Sequence, residues 1–208
     1  MSTLASPRTY VRIDRGMTAI LSDMPFAFDF FAHLNMLSKN LGRPVEVLEG
    51  GCGEGRALYD LKKGWPVELG TTPYQSRAVV DWQASLPESF PGLGNSIRTT
   101  GVTLESNPTV VGKRRPGNVF IGPIQKLPAH QKYDFLLDFL GPAFYATTDA
   151  LPTYARAAQP GALAYLRLPT GRDCSGNSVL RMLANYGFSV QQQAFSGDHA
   201  IDVIAQRL

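Results

Sequence analysis

"VLEGGCGEGR", residues 47–56, decides how the rest of the chain is read. A short apolar stretch ends in an acid, and four glycines follow within six residues. "VEVLE" (45–49) has the composition of a short strand, and "GEGRALYDLKK" (53–63) starts a helix straight after the glycines. A loop that leaves a parallel strand and opens a helix lies at the strand's carboxyl end, where open α/β sheets bind ligands. Glycines there allow positive φ and let backbone N–H groups approach a ligand without an intervening side chain.

The spacing excludes two common readings. A dinucleotide fingerprint needs G-x-G-x-x-G, and starting from Gly51 and Gly53 the third glycine would fall at 56, which is Arg56. No Gly-Lys-Ser/Thr follows, so the phosphate-loop pattern fails as well. The pattern that remains is E-x-G-x-G-x-G, formed by Glu49, Gly51, Gly53 and Gly55. A carboxylate ahead of the glycines repels a pyrophosphate and suits a ligand with positive charge, such as an ammonium or a sulfonium.

Strand and helix texts alternate along the chain. Residues 17–41 carry apolar residues at helical spacing after Pro25 and read as one long or two short helices, stopped by Gly42 and Pro44. Strands are expected at 66–72, 118–122, 133–140 and 160–169, with helices at 73–86, 149–159 and 177–187. The tail gives two more strands, 188–195 and 200–208, joined by the short link "SGDH", which only an antiparallel hairpin can use. The expected fold is α/β: a mostly parallel sheet of seven strands, helices on both faces and a C-terminal antiparallel hairpin. Residues 87–117 break the alternation and read as a lid or a small insertion, in which "IRTTGVTLE" and "TVVGKR" could pair as two short strands. The organisation is then an N-terminal helical cap (1–44) and an α/β domain (45–208) with an insertion at 87–117.

With 44% hydrophobic and 18% charged residues, composition supports a filled core, and a net charge of +3 does not by itself indicate nucleic acid. Cys52 and Cys174 cannot make a disulfide framework or a structural zinc site. No signal peptide and no membrane-length apolar run is read, so a cytoplasmic location without membrane contact is expected. His33 reads as a helix histidine. Cys174 has no visible partner base. "GKRR" (112–115) reads as a solvated loop.

"VEVLEGGCGEGR" resembles the first motif of class I S-adenosylmethionine-dependent methyltransferases. The likeness runs in order over about residues 45–208. "VFIGPIQKLP" and "KYDFLLDFLGPAFY" resemble that family's third and fourth strands, and "LPTYARAAQPGALAYLRLP" its next helix, turn and fifth strand. "VLRMLANYGFSVQQQ" resembles the last helix and the start of the closing hairpin. The resemblance implies an enzyme that uses S-adenosyl-L-methionine. Glu49 and the loop Gly50, Gly51, Cys52 and Gly53 would face its methionine part. Thr72 stands where an acid for the ribose is expected. Gly122-Pro123 replaces an expected Gly-Asp, so Ile124 and Gln125 would serve adenine. Asp138, at the end of the fourth strand, would line the floor between cofactor and substrate and is the nearest candidate for a base. No metal-ligand cluster is read. The run after Asp138 is "FLG", not the Pro-Pro-aromatic run of base-amine methyltransferases. A small-molecule acceptor is expected, with recognition in the aromatic N-terminal segment (Phe26, Phe28, Phe30) and in 87–117. The alternatives are a degenerate methyltransferase-like binding or scaffold protein, and an RNA or protein methyltransferase.

Overall fold

The computed structural model describes residues 16–64, 90–104, 117–170, 176–196 and 199–208, and the statements below concern these residues. In chain order the elements are α1 (Met17–Asp23), α2 (Phe30–Leu41), β1 (Val45–Gly50), α3 (Arg56–Lys63), β2 (Ile97–Thr103), β3 (Asn118–Ile121), β4 (Tyr133–Asp138), α4 (Pro142–Tyr145), α5 (Thr147–Ala157), β5 (Ala158–Pro169), α6 (Gly176–Asn185), β6 (Phe188–Phe195) and β7 (Ala200–Arg207). The strands form one sheet in the order β3-β2-β1-β4-β5-β7-β6. β3, β2, β1, β4 and β5 run parallel, and β7 runs antiparallel to both β5 and β6. This is the expected architecture, terminal hairpin included. It puts the carboxyl ends of β1 to β4 side by side.

Alternation along the central strands explains why both sheet faces are covered. Val45 and Val47 of β1 and Phe135 and Leu137 of β4 face Met17, Ile20, Phe30, Phe31, Leu34, Leu58 and Leu61 of α1, α2 and α3. Leu48 and Leu136 point the other way, toward Ala150, Leu151 and Tyr154 of α5 and Val179 and Leu183 of α6. The N-terminal helices are two, as one of the two readings had it. α2 is capped at its start by Asp29 Oδ1, which accepts the Ala32 amide at 2.9 Å, and it stops at Gly42 in the left-handed region. α1 has no side-chain cap of its own. Its first amide, Met17 N, donates instead to Asp60 Oδ2 of α3 at 2.8 Å, and Asp60 is 1% exposed. Asp60→Ala leaves that amide without its acceptor and should cost about 1–3 kcal/mol. Hydrogen exchange read on α1 checks this, with protection expected to fall there more than in β4.

One placement differs from expectation. The sheet position beside β1 belongs to Ile97–Thr103, inside the stretch read as an insertion. This strand pairs in parallel with β1 (Glu49 opposite Gly101) and with β3 (Val102 opposite Phe120), so "IRTTGVT" is sheet core and not half of a local hairpin. The physical reason is burial. Thr99, Thr100 and Thr103 are all nearly inaccessible, and β-branched threonines suit a covered strand. The expected strand 66–72 and helix 73–86, and "GKRR", lie outside the described residues.

Candidate functional site

A cavity of about 210 Å³ opens across the carboxyl ends of β1 to β4. Each strand end supplies one wall. Gly51 comes from the loop after β1, Val102, Thr103 and Leu104 from the end of β2, Gly122 to Gln125 from the turn after β3, and Leu140 to Pro142 from the turn after β4. Tyr145, Ala146 and Asp149 close the side formed by α4 and α5. The lining is mostly apolar, with Thr103, Gln125, Tyr145 and Asp149 as its polar side chains.

Glycines let these walls meet. Gly51, Gly53 and Gly55 all have positive φ, at 73°, 52° and 81°. A Cβ on Gly51 would lie 2.6 Å from the Gly141 Cα, so the loops after β1 and β4 touch backbone to backbone. Gly101 plays the same part beneath Cys52, whose Sγ would lie 2.5 Å from a Cβ there. The Cys52 amide donates to the Val102 carbonyl at 2.9 Å, and the Gly122 amide to the Thr103 carbonyl at 2.8 Å. These two bonds tie the loops after β1 and β3 to the end of β2.

Of the residues expected at the site, Gly51, Ile124 and Gln125 line one cavity. Glu49, 6% exposed, is the last residue but one of β1 and is not among the residues that line the cavity. Gly50 packs against the Tyr154 hydroxyl and Asp138, Cys52 is buried on Gly101, and Gly53 takes a left-handed turn two residues before Gly55, the N-cap of α3. Thr72 lies outside the described residues; the strand end that borders the cavity next to β1 is Thr103–Leu104. The sequence signal for Thr103 and Leu104 is the text "IRTTGVTLE", which reads as a short strand of an insertion and not as a strand of the sheet. Leu140, Gly141, Tyr145 and Asp149 carried no signal beyond following the fourth strand. Phe30 is fully buried, and Phe28 packs on Phe30 and Phe135, so part of the expected acceptor-binding aromatic segment is core. His33 sits against Phe28 and Phe135, and burial lowers its pKa.

Asp138 is present at the strand end but faces inward. It is 0% exposed. Its Oδ1 accepts the Gly141 amide at 2.7 Å, and its Oδ2 accepts the Ala143 amide at 2.8 Å and the Tyr154 hydroxyl. Burial pushes the Asp138 carboxyl up to about 7, against the three hydrogen bonds that pull it down. Burial and the neighbouring Asp138 raise Tyr154 well above an ordinary tyrosine, so its hydroxyl keeps its proton and donates. Stability contributed by Asp138 is greatest below its unfolded pKa of 3.8 and is lost as pH rises through about 7. A base must reach the proton it removes, and both oxygens of this carboxylate are turned into the protein. The expected role of a base touching an acceptor therefore does not match its geometry.

Comparison with solved structures places the fold. The chain is similar to a TehB-like SAM-dependent methyltransferase from Corynebacterium glutamicum, with 14% identity over 86% of this chain and 88% of that one and a TM-score of 0.52. It is similar to a SAM-dependent methyltransferase from Aquifex aeolicus at 16% identity, covering 88% of this chain and all of the other, TM-score 0.51. A third likeness is to magnesium protoporphyrin IX methyltransferase from Synechocystis with bound S-adenosylhomocysteine, at 10% identity over 92% and 93% of the two chains, TM-score 0.51. No protein-family model and no curated protein matches the sequence. At these identities the likeness establishes the class I methyltransferase fold. Among the described residues no helix is long and apolar enough to cross a membrane, and no His, Cys, Asp and Glu group could hold a metal ion.

Proposed function

We propose that this protein is an S-adenosylmethionine-dependent methyltransferase acting on a small organic acceptor. The observation that carries the reading is the cradle itself: a glycine loop led by Glu49 whose Gly51 backbone meets Gly141 beside a mostly apolar cavity. A side chain at either glycine would fill the space between the two loops, and the residues present suit the proposed group. Val102, Pro123, Ile124 and Pro142 offer flat apolar surface to a planar base, with the Gln125 amide beside it. Thr103 and Leu104 stand at the strand end next to β1, where ribose hydroxyls would be held. Glu49 supplies negative charge for an ammonium. When bound, S-adenosylmethionine supplies an electrophilic methyl on a sulfonium. The chain's part is to orient the partners and exclude water, a contribution worth up to about 7–11 kcal/mol in favourable cases.

The acceptor assignment rests on the rim. Leu104 and Tyr145 are 60% and 54% exposed at the cavity mouth, an apolar and aromatic pair suited to a small organic molecule. Calorimetry with S-adenosylhomocysteine tests the reading. Saturable binding with Kd of about 1–100 μM is expected, and Glu49→Gln should weaken it about tenfold, the equivalent of one hydrogen bond to a charged group. Absence of heat at millimolar ligand would remove the methyl-donor reading and leave a binding or scaffold role for the fold.

A further inference from the structure

We propose that Asp138 is a positioning residue: its carboxylate, shared with the Tyr154 hydroxyl, fixes the turn 138–143 that carries Leu140, Gly141 and Pro142 into the cavity wall. Three observations meet at this turn. The first is where the hydrogen bonds go. Gly141 N and Ala143 N both point back to Asp138, one to each oxygen. α4 has no capping side chain of its own, since its N-cap is Gly141. The second is strain. Leu140 has φ 68°, the one described residue other than glycine in the left-handed region. A leucine stays there when its surroundings over-determine it. Two amide anchors one and three residues beyond it meet that requirement, and its side chain lines the cavity. The third is contact. A Cβ on Gly141 would lie 2.7 Å from Asp138 Oδ1, and the Gly141 Cα is the surface on which Gly51 rests. A shift of the turn therefore reaches the loop after β1.

The same geometry makes the turn sensitive to protons. The groups facing Asp138 among the described residues are Tyr154 from α5 and, beyond the Tyr154 hydroxyl, Glu49 from β1. The ionised carboxylate accepts all three donors in charge-assisted bonds. A proton on either oxygen weakens the hold on at least one of them. The turn is therefore firmest above neutrality, although ionisation costs the fold stability overall.

Two measurements test this. The first uses the wild-type chain without ligand. The amide resonances of Gly141 and Ala143 should move together between about pH 5.5 and about pH 8.5, with one midpoint near 7. In Tyr154→Phe the midpoint should rise, because a donor to the carboxylate is lost. Flat resonances across that range, or a midpoint unmoved in Tyr154→Phe, would overturn the inference. The second rests on the proposed methyl-donor site. Wild-type affinity for S-adenosylhomocysteine should rise through pH 7, whereas Asp138→Asn should bind about tenfold more weakly at pH 8 with no such rise. An Asp138→Asn protein that binds like wild type at pH 8 would also overturn it. A wild type that binds no S-adenosylhomocysteine sinks the methyl-donor reading, and the amide titration still decides the positioning role.

Discussion

Asp202→Ala should destabilise the protein by about 3–5 kcal/mol, which for a chain of this length lowers the melting temperature by roughly 6–20 °C. Asp202 and Arg167 are register partners on β7 and β5. The pair is bidentate, Nε to Oδ1 and Nη2 to Oδ2, both at 2.6 Å, with Arg167 5% and Asp202 0% exposed. A buried ion pair adds little against a well-packed apolar pair, but losing one partner strands the other charge. Here the stranded charge is also a junction. Arg167 Nη2 donates to the Asp23 carbonyl at the end of α1 (3.1 Å) and to Ser196 Oγ beyond β6 (2.9 Å). Its guanidinium lies 3.8 Å from the centroid of the Phe139 ring, in the turn after β4. Four parts of the fold would therefore loosen together. The check is a pair of melts. Arg167→Met/Asp202→Leu should recover most of what Asp202→Ala loses, because the cost lies in the unpaired charge. A double variant as unstable as the single one would mean that the hydrogen bonds to Asp23 and Ser196 carry the stability instead.

How much of this was legible in the sequence depends on where each signal resides. β1 and β4 place apolar residues on both sheet faces, and "VEVL" and "YDFLL" announce strands without help from the rest of the chain. Gly42 and Gly187 end α2 and α6 in the left-handed region, as stop signals do. β2 was legible as a strand but not as a member of the sheet. "IRTTGVT" is polar on paper, with an arginine, three threonines and a glycine. Its place depends on partners distant in sequence: β1 pairs along one edge and β3 along the other, and Gly101 is required by the Cys52 sulfur. Chain order favours "PVELGTT" as the second strand, and the resemblance then assigns the ribose to Thr72, which lies outside the described residues. Asp138 teaches the complementary lesson. A carboxylate at the end of a parallel strand has a readable address, but its direction is set by Tyr154, sixteen residues on, and by two amides that close on it only when the turn forms. The Gly51–Gly141 contact had no sequence signal at all, because each glycine looks like an ordinary turn residue until both are placed.

That contact supports the largest expected effect on ligand binding. Gly51→Ala should cost about 2–5 kcal/mol in stability, the sum of left-handed strain and overpacking, and should weaken S-adenosylhomocysteine binding about 100-fold or more. Strain alone cannot supply this. Gly42 has φ 62°, close to the 73° of Gly51, yet a Cβ on Gly42 meets nothing within 4 Å. Gly42→Ala therefore isolates the backbone term and should cost about 1–2 kcal/mol with ligand affinity unchanged. At Gly51 the new methyl meets the Gly141 Cα at 2.6 Å, and that atom belongs to backbone, not to the far end of a flexible side chain. Gly141 is not free to retreat: its amide is held by Asp138 Oδ1 at 2.7 Å, in the turn that the Ala143 amide also ties to that carboxylate. The loop after β1 must yield, and with it the approach of backbone N–H groups for which its glycines are present. Melting curves and calorimetry on the two variants decide the point. Equal losses of stability in both, with binding intact in Gly51→Ala, would show that the loops after β1 and β4 can separate without harm to the site.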